Sequence, residues 1–340
     1  MRFDIGRGEV IKGRWLLIET LGRAETWSVV AEGTAPREWK SFQRSVPSRL
    51  QPLVATAYTS GAIVDQQMPQ SRHAWSGRRV QAVPVLGPDE RVHAVKLWLG
   101  AGDPPPQTGV APFVMDARTR LIETLPEGLG PGFPRGPVRW TGAESFAAIE
   151  RFDAALEFTA TIARSAPGSR WMGIATIRAA AGPRAILLAT RNGETAATGE
   201  HWSGIAVDVT DTVAPQQKSF EATTIDLLRS AQPNLYIAIV DTAQLRLIRW
   251  VTEPVPGIRW GAGTDERTTP HPTDHTRILT ARNEILTGAK QTTLAAIRFA
   301  STHDNWITAD LEITPLPGGT PGATTPEFAL VQIEVHNTPG

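Results

Sequence analysis

Apolar residues recur along this chain in two rhythms, every second position and every third or fourth, and the rhythms change over in the same order three times. Trp15–Leu21 reads as a strand, with Trp27–Glu32 as its hairpin partner and Gly22 near the turn. Leu50, Leu53, Val54, Ala57 and Tyr58 then fall at helical spacing on one face. Strand-like runs follow at 70–76, 78–86 and 91–99, punctuated by Gly77 and by Gly87-Pro88-Asp89. Pro84 lacks the amide hydrogen a ladder needs, which puts its strand at an edge or a bulge.

A second round begins with a short hairpin over 113–116 and 121–125, then a Gly/Pro-rich loop from 126 to 137. Thr141 and Glu144 have capping-box spacing and predict a helix start. Phe146, Ile149, Phe152 or Asp153, Leu156, Ala160 and Ala163 give that helix its buried stripe. Strands are expected at 171–179, 184–191 and 203–209. The third round adds a short helix near 219–230, a hairpin of 235–241 with 245–252, and a helix near 275–287. Its three closing strands are 291–300, 305–315 and 327–336, with a long loop over 315–326.

Hairpin, helices, then three strands in a row is the order of an antiparallel sheet of about five strands with helices on one face. The fold class expected is therefore α+β, in three tandem units over 14–102, 108–214 and 218–338. A doubly wound parallel sheet would need strand and helix to alternate one by one. Asp103-Pro-Pro-Pro106 reads as a stiff linker between the first two units.

Composition narrows the function classes. Hydrophobic residues make up 41% and charged residues 20%, within the globular range, and formal net charge is zero. No dominant basic face offers itself for nucleic acid. Cysteine is absent, which removes disulfides, thiolate metal sites and cysteine nucleophiles. The excess of Arg, Ala, Gly and Pro points to a GC-rich bacterial genome. Residues 1–13 carry Arg2, Asp4, Arg7, Glu9 and Lys12 with no apolar stretch of signal-peptide type, and no later run has the length of a membrane span. A cytoplasmic protein is expected.

The element order resembles the PAS fold and the related GAF fold. With Trp15–Gly22 at the start, and Val92–Gly100 leading into the acidic, proline-rich linker, the chain also resembles a mycobacterial family of sensor-domain-only proteins with PAS–GAF–PAS architecture. The resemblance implies a GAF-like middle unit and no attached catalytic domain. It implies a signalling role, since such units bind haem, flavin, cyclic nucleotides or metabolites, or bind protein partners alone.

A search for chemistry returns little. Gly6-Arg7-Gly8 lacks a third glycine and precedes the first strand, there is no P-loop, and no Gly-x-Ser-x-Gly elbow appears. His271 and His275 are four apart, but Pro270 and Pro272 place His271 in a loop, so a solvated helix start with Thr273 or Asp274 as its cap outweighs a metal site. These two histidines are also the third unit's sole haem-ligand candidates. No metal and no cofactor is expected. Glu144, Glu150 and Glu157 read as exposed helix charges. Eleven Trp stand against two Tyr. Trp15, Trp98, Trp171, Trp250 and Trp306 are expected mainly to fill the space between sheet and helices. Trp250, Trp260 and Tyr236 are the candidates for a pocket wall in the third unit.

The leading expectation is a non-enzymatic scaffold that integrates signals and relays them through contacts with other signalling proteins. The alternative is a small-molecule sensor with a nucleotide, metabolite, flavin or haem held in one PAS/GAF pocket. Nucleic acid and membrane partners are not expected, and homodimers fit the pairing habit of PAS-type units.

Overall fold

Continuous apolar runs and alternating ones have different destinations in this molecule. The computed structural model describes residues 13–70, 76–117, 119–163, 166–193, 201–217, 234–258, 270–303, 305–317, 319 and 322–336. The expected helix near 219–230, the leader before residue 13 and most of the expected strand at 70–76 lie outside them.

The first segment contains β1 (Leu16–Glu19), β2 (Ser28–Glu32), β3 (Ala35–Ser41), α1 (Phe42–Ser45), α2 (Gln51–Ser60), β4 (Val64–Gln67), β5 (Arg79–Leu86) and β6 (Val92–Gly100). They form an antiparallel sheet in the order β3-β2-β1-β6-β5-β4. It has six strands where about five were expected. The extra one, β3, is a polar edge strand that carries Pro36, and Gly33 makes the tight turn into it at φ 58°. Pro84 lies just past the end of the β4 pairing, and the register shifts after it at Val85/Leu86. Gly61 ends α2 in the left-handed conformation, its N–H donating to the Ala57 carbonyl at 3.0 Å.

The middle segment contains β7 (Val110–Asp116), β8 (Ile122–Thr124), β9 (Val138–Trp140), α3 (Gly142–Ala147), β10 (Ile149–Arg151), α4 (Ala155–Ala163), β11 (Arg170–Ala179), β12 (Gly182–Asn192) and β13 (His201–Asp208). Six of its strands run β11-β12-β13-β7-β8-β9. The capping box at Thr141 and Glu144 is present in both directions. The single helix expected after it is instead two, α3 and α4. Arg151 forks onto the Asp153 carboxylate at 2.9 and 3.0 Å, a pairing two residues apart that helix geometry does not allow.

The last segment contains β14 (Leu235–Asp241), β15 (Leu247–Trp250), α5 (Pro272–Leu286), β16 (Thr292–Ala300), β17 (Trp306–Leu316) and β18 (Phe328–Val335). Its five strands are ordered β15-β14-β18-β17-β16. Within each sheet the five shared strands therefore lie in one order: second, first, fifth, fourth, third.

Backbone proximity divides the chain into two compact units, 1–115 with 123–139 and 165–216, and 116–122 with 140–164 and 217–340. In the first unit the first sheet is covered on both faces, a departure from the expected single helical layer. Leu16, Ile18, Val95 and Leu97 pack with Leu50, Val54 and Ala57 on the helical side. Leu17, Val30 and Ala94 pack on the other side with Ala185, Leu187, Ile205 and Val207 of the second sheet. Two covered faces explain why β1 and β6 read as unbroken apolar runs. Between the sheets, Arg191 donates to the fully buried Glu19 carboxylate at 3.0 Å. Burial pushes Glu19 above the usual carboxylate range against the pull of Arg191. In the second unit, Phe146 stacks on Phe152 with centroids 6.3 Å apart, and Phe158 meets Phe152 at 5.7 Å with its ring tilted by 50°.

Candidate functional site

The sheet of the last segment and α5 enclose a cavity of about 640 Å³. Its floor is the helix-facing side of the strands: Ala238 and Val240 of β14, Leu247 of β15, Phe299 of β16, Leu311 and Ile313 of β17, and Ala329, Val331 and Ile333 of β18. Its roof is one face of α5, carrying His275, Ile278, Leu279, Arg282 and Ile285. The turn between β14 and β15 closes one end with Thr242, Ala243, Gln244 and Leu245. Leu245 holds a left-handed φ of 55°, unusual for a residue with a branched side chain. The lining is mainly aliphatic, with Thr242 and Gln244 at the turn and His275 and Arg282 on the roof as its polar side chains, the composition of small-molecule sites, and the volume falls in their range.

Local sequence fixes the roof in place. His271 caps α5, its ring nitrogen accepting the Thr273 N–H at 3.3 Å, so the cap is neither Thr273 nor Asp274. Pro272 opens the first turn, where a missing N–H is harmless. Asp274 instead reaches back to the sheet and accepts the Arg298 backbone N–H at 3.1 Å and its Nε at 2.9 Å. The Arg298 side-chain hydrogen bond holds the Asp274 carboxyl down to about 2. Ile278, Ala281 and Ile285 follow at helical spacing and turn inward, with Ala281 and Ile285 buried.

Arg282 lies on that same apolar face, four residues after Ile278. Its Nε donates to the Thr242 carbonyl at 2.5 Å, its Nη2 to the Ala243 carbonyl at 3.0 Å, and its Nη1 to Asn283 Oδ1 at 3.4 Å. Next to the cavity is a smaller one of about 290 Å³ that shares Thr242, Ala243, Gln244 and Arg282. Its other walls include Arg120, Arg246, Asp241 and Glu327. Arg120 is bonded to the Asp241 carboxylate at 2.5 Å.

Of the three residues expected to line a pocket, Tyr236 and Trp250 do pack into the core between this sheet and its cover. Both occupy the cavity-facing side, since Trp250 pairs directly with Ala238 and Tyr236 is two residues before it. Neither lines the cavity, which begins farther along β14 at Ala238. Trp260 lies outside the described residues. Among the other tryptophans, Trp15, Trp98 and Trp171 are buried, but Trp15 and Trp98 alternate with the helix-facing Leu16, Leu97 and Leu99 and so lie on the first sheet's other face and not between sheet and helices, and Trp306 is 41% exposed, edge-on to His271 at 4.8 Å. Arg282, Thr242 and Gln244 went unread, although a lone arginine on an apolar helix stripe was a visible signal. Among the described residues no group of three or more His, Asp or Glu side chains gathers as a metal site.

The first unit has a cleft of its own, about 800 Å³, walled by Gly- and Pro-rich loops and by Trp15, Lys96, Gln107 and Arg184. Lys96 sits between Leu17 and Val83 on the neighbouring strands and donates to Gln107 Oε1 at 3.2 Å. Burial lowers its ammonium to about 8. The proline linker is tied down beside it, since the Trp15 indole donates to the Pro105 carbonyl at 2.9 Å. Lys96, Gln107 and the Arg184–Asp208 ion pair at 3.0 Å put charged and polar side chains on its walls, more of them than line the cavity under α5.

No helix among the described residues is long and apolar enough to cross a membrane. No curated protein matches the chain. A crystal structure of an uncharacterized Mycobacterium tuberculosis protein superposes with a TM-score of 0.68 at 20% identity, over 95% of this chain and 96% of that one, and shows the same fold. The Drosophila melanogaster Cycle PAS-B domain with bound ethylene glycol aligns over 30% of this chain and 99% of its own at 12% identity, and an RNA-binding light-oxygen-voltage receptor over 66% and 95% at 14%. Both have a TM-score of 0.25, too low to bear on fold or function. Residues 14–107 match the N-terminal domain of the Rv3651-like family and residues 222–316 its C-terminal domain, and with both matched over more than half its length the chain belongs to this mycobacterial family.

Proposed function

We propose that this protein is a non-enzymatic sensor built of three tandem PAS/GAF-like units, which binds a small, mainly apolar molecule under α5 and relays occupancy through contacts with other signalling proteins. The observation that carries the reading is the mainly aliphatic cavity between sheet and helix, with four polar side chains in its lining, three of them (Thr242, Gln244 and Arg282) at the end beside the β14–β15 turn. Support for the three-unit description comes from the strand order repeated in all three sheets. The absence of a recognised catalytic motif in the sequence fits a relay through contacts.

The test is thermal denaturation of the full chain against a library of apolar metabolites, with Ala329→Trp as the control. A ligand at about 100 times its Kd adds about 2.7 kcal/mol to stability. At least one compound should raise the melting temperature of the wild type and leave the filled variant unmoved. Flat responses across aliphatic, aromatic and amphiphilic compounds would remove the ligand reading.

A further inference from the structure

We infer that the molecule held under α5 is an amphiphile with a single negative charge, an aliphatic carboxylate, whose tail occupies the apolar cavity and whose head is bound by Arg282. The inference rests on the reading of the cavity as a ligand site and narrows its ligand to one chemical class.

Three observations converge on Arg282. First, it lines two adjoining hollows of the second unit, an aliphatic one and a more polar one beside it, so it marks the seam between an environment for a tail and one for a head. Second, its charge is not balanced. Among the described residues its three partners, the carbonyls of Thr242 and Ala243 and the amide oxygen of Asn283, are neutral, and it forms no ion pair with any of them. Arg120, across the smaller hollow, is by contrast neutralised by Asp241 at 2.5 Å. Third, a guanidinium offers five N–H donors and the three bonds use three of them. The two left over can donate to a carboxylate, for which a planar guanidinium fork is well matched.

The rest of the lining limits what else can enter. Away from the turn, His275 is the one lining side chain among the described residues that can hydrogen-bond, and Val240, Leu247, Phe299, Leu311 and Val331 cannot, so most hydroxyls of a sugar on the buried part would go unpartnered. The head-side hollow is walled by Arg120, Arg246 and Arg282 against Asp241 and Glu327, a surplus of one positive charge that fits one negative charge and not the several of a polyphosphate.

The experiment compares decanoate with decanol, equal in chain length and different in head group, by calorimetric titration into the full-length protein and its Arg282→Gln variant near neutral pH. Decanoate should bind wild type at least about tenfold more tightly than decanol, the worth of one charge-assisted contact. Arg282→Gln should abolish that preference while decanol binds as before, which also reports that the variant's cavity is intact. Arg282→Lys should keep a reduced preference. Equal binding of the two to wild type, or a preference that survives Arg282→Gln, would overturn the inference and leave the cavity reading standing. If neither compound binds folded wild type, the inference and the cavity reading fall together.

Discussion

The first and last sheets share a strand order and lay a helix over the same face, yet one helix rests on a filled core and the other on a hollow. Under α2 the space is taken by Trp27, Phe42, Leu50 and Val54. Trp27 alone meets the Phe42 ring at 5.7 Å and the Tyr58 ring at 4.8 Å. Under α5 the walls include Ala238, Ala329, Ile278 and Val331, smaller side chains that border open space. Strand order sets where a pocket can form, and side-chain volume decides whether it does. The two sheets differ on their outer faces as well, for the first is covered by a second sheet while β16 and β17 keep the alternation of half-buried strands.

Hollowing the filled layer is expected to have the largest effect. Trp27→Ala should cost about 4–5 kcal/mol in denaturant unfolding of the full chain, the upper range for removing a buried aromatic. Ile278→Ala, trimming a residue that already borders empty space, should cost about 1 kcal/mol, because few contacts are lost across a void. Equal losses at the two positions would erase the contrast between a packed unit and a hollow one.

Next in size is the ion pair on the first sheet's outer face. Glu19 is fully buried and Arg191 is 4% exposed, so Glu19→Ala would strand a cation in an apolar layer at a cost of about 3 kcal/mol. Replacing both residues with Met should recover most of that loss, since the burial of two charges disappears along with their attraction. Strictly additive losses in the double variant would mean that the two residues stabilise the sheet stack independently.

Much of this layout was legible in the chain. Helical spacing from Leu50 to Tyr58, the capping box at Thr141, and alternation along Trp306–Leu316 each gave the right element, because each is a local signal. What stayed hidden depends on partners distant in sequence. The run Val92–Gly100 announced a strand, but its lack of alternation also announced two covered faces, and only the second sheet shows what covers the far one. β3 is polar and at an edge, so it has almost no periodicity to read. Tyr236 and Trp250, the candidates for a pocket wall, share the cavity's side of the sheet but stand beyond its end, since pattern along a strand does not tell how far a cavity extends.

The smallest effect belongs to Lys96, the one polar residue in β6 between Val95 and the Trp98 core position, and its direction follows from proton counting. Burial lowers its ammonium from 10.5 to about 8. Between those two values the unfolded chain binds more protons at this position than the folded one, so wild-type stability should rise as pH increases from about 8 to 10.5. Below about 8 the folded chain carries a desolvated charge. Lys96→Met should therefore stabilise the protein by about 1 kcal/mol at pH 7, a figure reduced because the amine is only partly withdrawn from water, and should flatten the rise above pH 8. Lys96→Arg separates charge from titration. Its guanidinium does not deprotonate in this range, so the curve should be flat without the gain at pH 7. A Met variant that keeps the alkaline rise would show that the rise comes from another group and that Lys96 sits comfortably charged beside Gln107.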